Sequence, residues 1–448
     1  MGQQYAATMV NPVGAGPLAR AVADPAPEAP GEQSSEVASA PALPPPFAGI
    51  PGWRAAFGAL LVAQFTSMVA FGMALPFLPL YVQRLGVVGE GNAAQWAGAM
   101  STAGMLVMAV VAPFWGDLAD RHGRKPMVVR ACFGGGIIVG AMSIARTPLE
   151  LFGLRTVQGA FSGTVAATRT LVVSVVPASH LGFSLGLLQT AVFVGNSFGP
   201  LLGGVIADVA GYEVTFLATG ALLAIAGLIV VAFVHEEFVP PTAGTREGAK
   251  HGWRDAAALV RGTPGLGAVI VTLFLVSTAQ NAMGPVLPLF VQHLVADAHT
   301  QVASIAGLVI GVTAVTSAVA AVLAGRLGDR IGHSQLMAAC AVAGGLIYFP
   351  QAWVSDPYEL LAWRAVLGLF TGGLMPGTMA VVAVQTPAHH RGWVFGLTTT
   401  ATALGGAAGP VLGATAATTL GLRATFVVTG AVLSVAGAWA AHTAWRRK

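Results

Sequence analysis

Charged residues are scarce in this 448-residue chain: Asp, Glu, Lys and Arg make up 9% of it, whereas a soluble domain carries about a quarter. The hydrophobic share is 55% and the mean hydropathy is +0.73. This composition excludes a conventional water-soluble globule. Apolar stretches of about 20 residues, enough to cross a ~30 Å hydrocarbon core as a helix, recur along the chain. We therefore predict an all-α membrane protein embedded in a lipid bilayer.

Cysteine is almost absent too, since the chain has only Cys132 and Cys340. Both lie in apolar stretches without CxxC spacing, and no His pair has metal-ligand spacing. We expect free thiols, no metal and no cofactor.

The excess of basic residues is spread over short loops, which argues against a nucleic-acid partner. Gly182 to Gly186 fits G-x-S-x-G but lacks the strand-turn-helix setting of a hydrolase, so we predict no enzyme.

Hydropathy predicts twelve transmembrane helices in two six-helix bundles. The predicted spans are 55–82, 94–115, 127–145, 149–175, 183–207, 214–234, 265–291, 303–324, 336–354, 358–383, 393–416 and 424–442. The predicted domains are a disordered cytoplasmic tail rich in Pro and Ala (1–50), an N-terminal bundle (51–235), a cytoplasmic linker (236–263), a C-terminal bundle (264–442) and a basic cytoplasmic C-terminus (443–448).

The positions of Lys and Arg predict the orientation, because basic residues are retained in cytoplasmic loops. With the N-terminus inside, most of the 22 Lys and Arg fall on the cytoplasmic side. Only Arg84, Arg146 and Arg423 fall outside. We predict a multi-pass protein of the plasma or inner membrane with both termini in the cytoplasm.

The two halves repeat the same residues 209 positions apart. Leu78 to Gln83 matches Leu287 to Gln292, and Arg155 matches Arg364. From the fifth helix of each half the offset is 210. Parallel six-helix repeats place a pathway at their interface near the bilayer midplane, which suits alternating access.

The loop after the second span reads GDLADRHGRK, in which Gly allows a tight turn and the Asp and Arg groups can form a charged network. It resembles the signature of the major facilitator superfamily, G-x-L-a-D-R-x-G-R-K. The resemblance implies that family's twelve-helix fold and a latch between the halves. The latch residues are Gly116, Asp120, Arg121, Gly123, Arg124 and Lys125. The second copy keeps Asp329 and Arg330 but has His333 and Ser334 for the two basic residues, so we expect a weaker second latch.

Arginines occur inside predicted spans, where each costs about 2.5–3.5 kcal/mol on insertion scales and normally faces a wet cavity or a partner. Arg155, Gln158 and Gly159 resemble the family's R-x-x-Q-G motif, which implies a role of Arg155 in proton coupling. Snorkelling to the outer surface is the alternative. Arg364 is the repeat mate of Arg155. Arg169 either lines the inner half of the cavity or snorkels to the cytoplasm.

The fifth span carries a glycine stripe that permits close helix contact, with a proline that favours a bend. It resembles the family's antiporter motif, G-x-x-x-G-P-x-x-G-G, which implies an exchanger. The residues of this motif are Gly195, Gly199, Pro200, Gly203 and Gly204. With the first span, this motif resembles the twelve-helix drug/proton antiporter branch of bacterial multidrug-resistance proteins.

We therefore predict a monomeric secondary transporter that exports small amphipathic compounds in exchange for protons. The expected cavity residues are Gln64, Met68, Phe71, Arg155, Gln158, Gln189, Asn196, Gln280 and Asn281. No Asp or Glu lies in the middle of a predicted span, although a membrane carboxylate is the usual proton carrier. Two alternatives follow: protons are coupled through Arg155 with Asp208 or Asp120, or proton coupling is absent. Cavity arginines without a carboxylate also leave open an organic-anion carrier or exchanger, and a non-transporting sensor or scaffold is the third hypothesis.

Overall fold

Fifteen α-helices follow one another in the part of the chain that the structure describes. This computed structural model describes residues 49–236, 238, 266–295, 301–374, 377–378 and 391–445. The helices are α1 (Trp53–Ala74), α2 (Leu78–Arg84), α3 (Glu90–His122), α4 (Lys125–Ala141), α5 (Pro148–Phe161), α6 (Thr164–Val175), α7 (Leu181–Ala210), α8 (Tyr212–Phe233), α9 (Leu266–Ala282), α10 (Leu287–Leu294), α11 (Val302–Ile331), α12 (His333–Gln351), α13 (Pro357–Thr371), α14 (Arg391–Thr419) and α15 (Leu422–Trp445).

The all-α prediction is confirmed, since the described residues contain helices and turns but no strand. The described part of each predicted span overlaps one helix or two consecutive ones. Eight described segments are long and apolar enough to cross a membrane. The predicted tail up to residue 48, the linker apart from Glu236 and Phe238, and residues 446–448 lie outside the described residues.

The first and seventh spans are interrupted, whereas the sequence predicts continuous helices. A 3₁₀ turn, Leu75–Phe77, separates α1 from α2, and a turn after Ala282 separates α9 from α10. Pro76 and Pro285 stand at repeat-equivalent positions there. Because proline lacks a backbone N–H and clashes with the preceding turn, it ends or bends the helix at these points.

The fourth predicted span, 149–175, is also divided, because α5 ends at Phe161 and α6 begins at Thr164. Gly163 between them has a φ of 105°, a conformation open to glycine and rarely adopted by other residues. Its repeat mate Gly372 directly follows α13, so the tenth span is interrupted at the same place. Residues 379–383 of that predicted span lie outside the described residues.

Small residues set the closest helix contacts within each half. A methyl group on Gly199 of α7 would lie 2.7 Å from the Cα of Gly72 in α1. A methyl group on Gly409 of α14, the repeat mate of Gly199, would lie 2.8 Å from the Cβ of Asn281 in α9. The repeat seen in the sequence is therefore also a repeat of helix packing.

Among the described residues, the two halves share a hydrophobic core at one end and not at the other. The end that carries loops 116–125 and 325–334 is called the latch end here, and the opposite end the far end. At the far end one core combines residues of both halves, including Phe77 and Ala207 with Phe290 and Ala303. At the latch end the described residues form separate cores: one is built around Phe57, Cys132 and Leu171, another around Leu266 and Val394. The halves are thus closed against each other at the far end.

Candidate functional site: a cavity between the halves

A cavity of about 600 Å³ lies between the halves. Its walls come from α1, α2, α3, α5 and α7 of the first half and from α9, α10, α11, α13 and α14 of the second. Six of the residues that the sequence predicts for the substrate or coupling site line it. They are Phe71, Arg155, Asn196, Gln280, Asn281 and Arg364.

Arg155 reaches the cavity from α5 and is only 9% exposed. Its Nη1 donates a hydrogen bond to Oε1 of Gln158, and its Nε is buried without a partner. Gly104 of α3 leaves room for this side chain, because a methyl group there would lie 2.5 Å from Nη1. The guanidinium therefore faces the space between the halves, with donor capacity to spare.

Arg364 reaches the same cavity from α13 and is 4% exposed. Its guanidinium carbon lies 5.5 Å from the ring centre of Tyr348 and 5.6 Å from that of Phe426. Its Nε and Nη2 are buried without hydrogen-bond partners. The two repeat-related arginines thus share one cavity but differ in their partners: an amide holds Arg155, and aromatic rings hold Arg364.

Acidic residues are missing from the described lining of this cavity. The polar groups that accompany the arginines are the hydroxyls of Ser101 and Thr313 and the amides of Asn196, Gln280 and Asn281. Aromatic, aliphatic and Met side chains form most of the rest. The cavity is therefore largely apolar, with a positive charge from each half.

Four predicted cavity residues lie outside this lining. Gln64 is buried inside the first half with 1% exposure. Met68 packs against α7, since its Cβ lies 2.5 Å from where a methyl group on Gly195 would stand. Gln158 lies behind Arg155, and Gln189 of α7 accepts a hydrogen bond from Arg169 of α6. The rotation of the first span about its own axis decides whether Gln64 and Met68 face the cavity. The sequence alone did not give that rotation.

The first latch motif folds back on its own half in this conformation. Asp117 and Arg121 form an ion pair of 2.7 Å. Glu236 accepts backbone hydrogen bonds from Arg124 and Lys125 at 2.7 to 2.9 Å and thereby caps the start of α4. Gly123 permits this turn with a φ of 95°. Gly116, Asp120, Arg121, Arg124 and Lys125 all lie at the end where the hydrophobic cores of the halves are separate.

The second latch motif has a different charge pattern. Gly332 has a φ of 94°, so the turn is the same as at Gly123. Asp329 pairs with His333 at 3.2 Å, a bond that carries a full ion pair only while the histidine is protonated. Arg330 is exposed beside them. The replacement of the two basic residues therefore changes the chemistry of this loop while its backbone is retained.

The antiporter motif contributes to two interfaces. Gly195, Gly199 and Gly203 contact α1 inside the first half. Gly204 and Pro200 face the second half, where Gly204 meets Ala303 and the carbonyl of Pro200 meets Gly307 of α11. The same stretch of α7 thus packs its own bundle and closes the far end.

Charged groups also join the halves at the far end. The Asp208 carboxylate of α7 accepts hydrogen bonds from the backbone N–H groups of Ala303 (3.1 Å) and Ser304 (2.6 Å), in the first turn of α11. Glu90 of α3 also lies 3.4 Å from Nδ1 of His293 in α10. A carboxylate at a helix N-terminus is electrostatically favourable. In this conformation Asp208 therefore binds the second half rather than Arg155.

Known proteins resemble this chain, which forms two repeated helical halves that are closed at one end around a central cavity. The family model of the Major Facilitator Superfamily matches residues 60–305 and 269–448. The chain belongs to the Major Facilitator Superfamily. It is 31% identical to the multidrug resistance protein MdtG of Salmonella dublin over 381 residues, 85% of this chain and 93% of that protein.

A second curated relative agrees with this assignment, and a solved structure shares the fold. MdtG of Enterobacter lignolyticus is also 31% identical, over 85% of this chain and 90% of its own length. The nucleoside transporter NupG has a TM-score of 0.69 at 14% identity, covering 86% of this chain and 98% of its own. As a member of this superfamily the chain is a multi-pass membrane transporter.

Two residues that bind the end of α5 were not singled out from the sequence of this superfamily member. Trp115 of α3 and Arg130 of α4 both donate hydrogen bonds to the end of α5. Arg130 carried one available signal, because it is a charge inside the predicted span 127–145. No sequence feature singles out Trp115, since a tryptophan near the end of a span is common in membrane proteins.

Proposed function

We propose that this protein is a proton-coupled exporter of small amphipathic compounds that works by alternating access. The cavity of about 600 Å³ between the two halves carries this proposal. Its size and mostly apolar lining suit a small organic molecule, and a few polar groups could orient that molecule. Relatives that are 31% identical over 85% of the chain are named multidrug resistance proteins.

The orientation that the Lys and Arg residues predict assigns this conformation to one step of the proposed export cycle. If the latch end faces the cytoplasm, the far end faces outside, and the shared hydrophobic core closes the outer side. In an exporter this is the conformation that loads substrate from the cytoplasm. Opening the far end and closing the latch end would then release the substrate outside.

Proton coupling, in this proposal, depends on Arg155 with Gln158 and on carboxylates away from the cavity centre. Asp208 holds the far end, and Asp120 lies at the latch end. A proton bound at Asp208 would weaken the far-end contact, because a protonated carboxyl loses its charge and part of its acceptor capacity. Coupling through the closure of the two ends therefore needs no carboxylate in the membrane centre.

The test uses proteoliposomes that contain an internal pH dye. Rhodamine 6G, an amphipathic cation, and fluorescein, an anion with a related ring system, serve as probes. Probe movement accompanied by proton movement in the opposite direction, lost in Arg155→Ala, supports the proposal. Probe flux without proton movement contradicts coupling. No flux of any compound in a broad panel would favour the sensor or scaffold hypothesis.

The two arginines favour a second candidate, an organic-anion carrier or exchanger. Arg155 and Arg364 bring three buried guanidinium nitrogens without hydrogen-bond partners to one cavity whose described lining has no carboxylate. Guanidinium pairs well with carboxylate, sulfonate and phosphate groups. This candidate predicts that fluorescein is transported in preference to rhodamine 6G and that Arg364→Gln lowers fluorescein flux alone. Preference for rhodamine 6G would overturn it.

A further inference from the structure

The interruption between α5 and α6 exposes carbonyl groups that need partners. Helix α5 ends at Phe161, and Ser162 is extended with φ −69° and ψ 171°. The last carbonyls of a helix have no donor within the helix. A buried carbonyl without a donor costs about 1–3 kcal/mol. The neighbouring helices α3 and α4 supply the donors.

Trp115 and Arg130 bind this broken helix end together, and we name the pair the clasp. Nε1 of Trp115 donates to the carbonyl of Ala160 at 2.8 Å. Arg130 donates from Nη1 to Ala160 and from Nη2 to the carbonyl of Ser162, both at 3.4 Å. Its guanidinium carbon lies 3.8 Å from the Trp115 ring centre. A cation at a helix C-terminus and on an indole face is doubly favoured.

Ser162 connects the clasp to the cavity. Its hydroxyl accepts a hydrogen bond from Nε2 of Gln158 at 3.0 Å, and Oε1 of the same amide accepts one from Arg155. Its own carbonyl is held by Arg130. Hydrogen bonds, joined through the covalent structure of Ser162, therefore connect the cavity guanidinium to α4.

The clasp also borders the latch. Trp115 directly precedes Gly116, the first residue of the latch motif, and Arg130 stands five residues after Lys125, its last. A shift of the α5 end would move Trp115 and Arg130 with it. Because both flank the loop on rigid helices, the loop would move as well.

The second half is interrupted near the equivalent position but lacks the clasp. Gly372, the repeat mate of Gly163, directly follows α13 and has a right-handed helical conformation, with φ −61° and ψ −30°. The repeat mates of Trp115 and Arg130 are Ala324 and Ala339, and the mate of Gln158 is Leu367. The half with the complete latch is thus the half with the complete hydrogen-bonded chain.

We propose that Trp115 and Arg130 are positioning residues that couple the state of the Arg155 guanidinium to the latch. The proposal rests on the transporter function above and deepens it. When a bound group draws Arg155 away, the Gln158 amide is released to turn, and the angle between α5 and α6 changes at Ser162. The clasp passes this change to α3 and α4, and hence to the latch loop.

A double-mutant cycle tests the coupling without any substrate, so a failure of transport and a failure of the clasp are distinguishable. Nitroxides at Gly186→Cys and Gly396→Cys report the distance between halves at the latch end, in full-length protein in which both native cysteines are replaced by Ser. A Cβ at either glycine meets nothing within 4 Å. Arg155→Gln should change the ratio of latch-open to latch-closed molecules at least fivefold.

The same substitution in an Arg130→Lys background should change that ratio less than twofold, because Lys keeps the charge but loses the planar fork. Trp115→Phe and Ser162→Ala can each replace Arg130→Lys as the second substitution of the cycle. Each is measured only on protein that is folded. The matched controls are Trp96→Phe on the same helix and Thr371→Ala, the repeat mate of Ser162; both should preserve the fivefold effect.

An equal effect of Arg155→Gln in the Arg130→Lys and unmodified backgrounds would overturn the proposal. So would the absence of any effect in the unmodified background. Loss of the fivefold effect in Arg130→Lys protein whose thermal stability equals that of the unmodified protein would separate coupling from a merely structural role.

Discussion

The contact of Asp208 with α11 gives a quantitative prediction about the far end. The carboxylate accepts the N–H groups of Ala303 and Ser304 only while the two halves are together. Hydrogen bonds to charged groups contribute about 1.5–3 kcal/mol. Because Asp208 is only partly buried, we use the lower part of this range, about 1.5–2 kcal/mol for the whole contact. Asp208→Ala should therefore shift the closed-to-open ratio at the far end by about 10- to 30-fold toward open, since 1.4 kcal/mol is tenfold.

Pulsed electron paramagnetic resonance can measure this shift with nitroxides at Val209 and Gln301, both exposed and on opposite halves. The unmodified protein should give one short distance, and Asp208→Ala a second, longer population. Asp208→Asn, which keeps one acceptor oxygen, should give an intermediate result. Glu213→Gln is the matched control, because Glu213 lies at the start of α8 in the same half. Identical distance distributions in Asp208→Ala and the unmodified protein would refute the reasoning.

Two further predictions concern backbone packing. Gly203→Ala should lower the thermal stability in detergent by the equivalent of about 1–3 kcal/mol, since its methyl group would collide with the Met73 carbonyl. Gly182→Ala is the control, because a methyl group at Gly182 meets nothing within 4 Å. It should change the stability by less than about 0.5 kcal/mol. Equal effects would contradict the packing assignment. Gly163→Ala should cost about 1–2 kcal/mol because of its φ of 105°; a stabilised variant would show that α5 and α6 can join into one helix.

The sequence predicted those features that depend on composition and repetition. Hydropathy located the spans, and the repeat placed Arg155 and Arg364 at equivalent positions, which the structure brings to one cavity. Features that depend on contacts between distant residues were not predictable. The break at Gly163 is stabilised by Trp115 and Arg130 from other helices, about 30 positions or more away in the chain.

Helical phase limited the prediction of the cavity lining. Phe71 lines the cavity, whereas Gln64 and Met68 on the same helix do not. The first span is apolar on all sides, so its sequence has no polar face that would fix the rotation of the helix. The phase is set instead by Gly195 and Gly199 of α7, which pack against α1.

The central claim is that one cavity between the halves opens alternately to the two sides of the membrane. The most direct measurement is the modification of Ser101→Cys in the cavity wall by a membrane-impermeant maleimide, added from either side of oriented vesicles. Cys132 and Cys340 are buried and free, and both are replaced by Ser to remove background. We predict fast labelling from the latch side and slow labelling from the far side, with far-side labelling accelerated at least fivefold by Asp208→Ala. Labelling from the far side that is fast in both proteins, or unchanged by Asp208→Ala, would contradict the account.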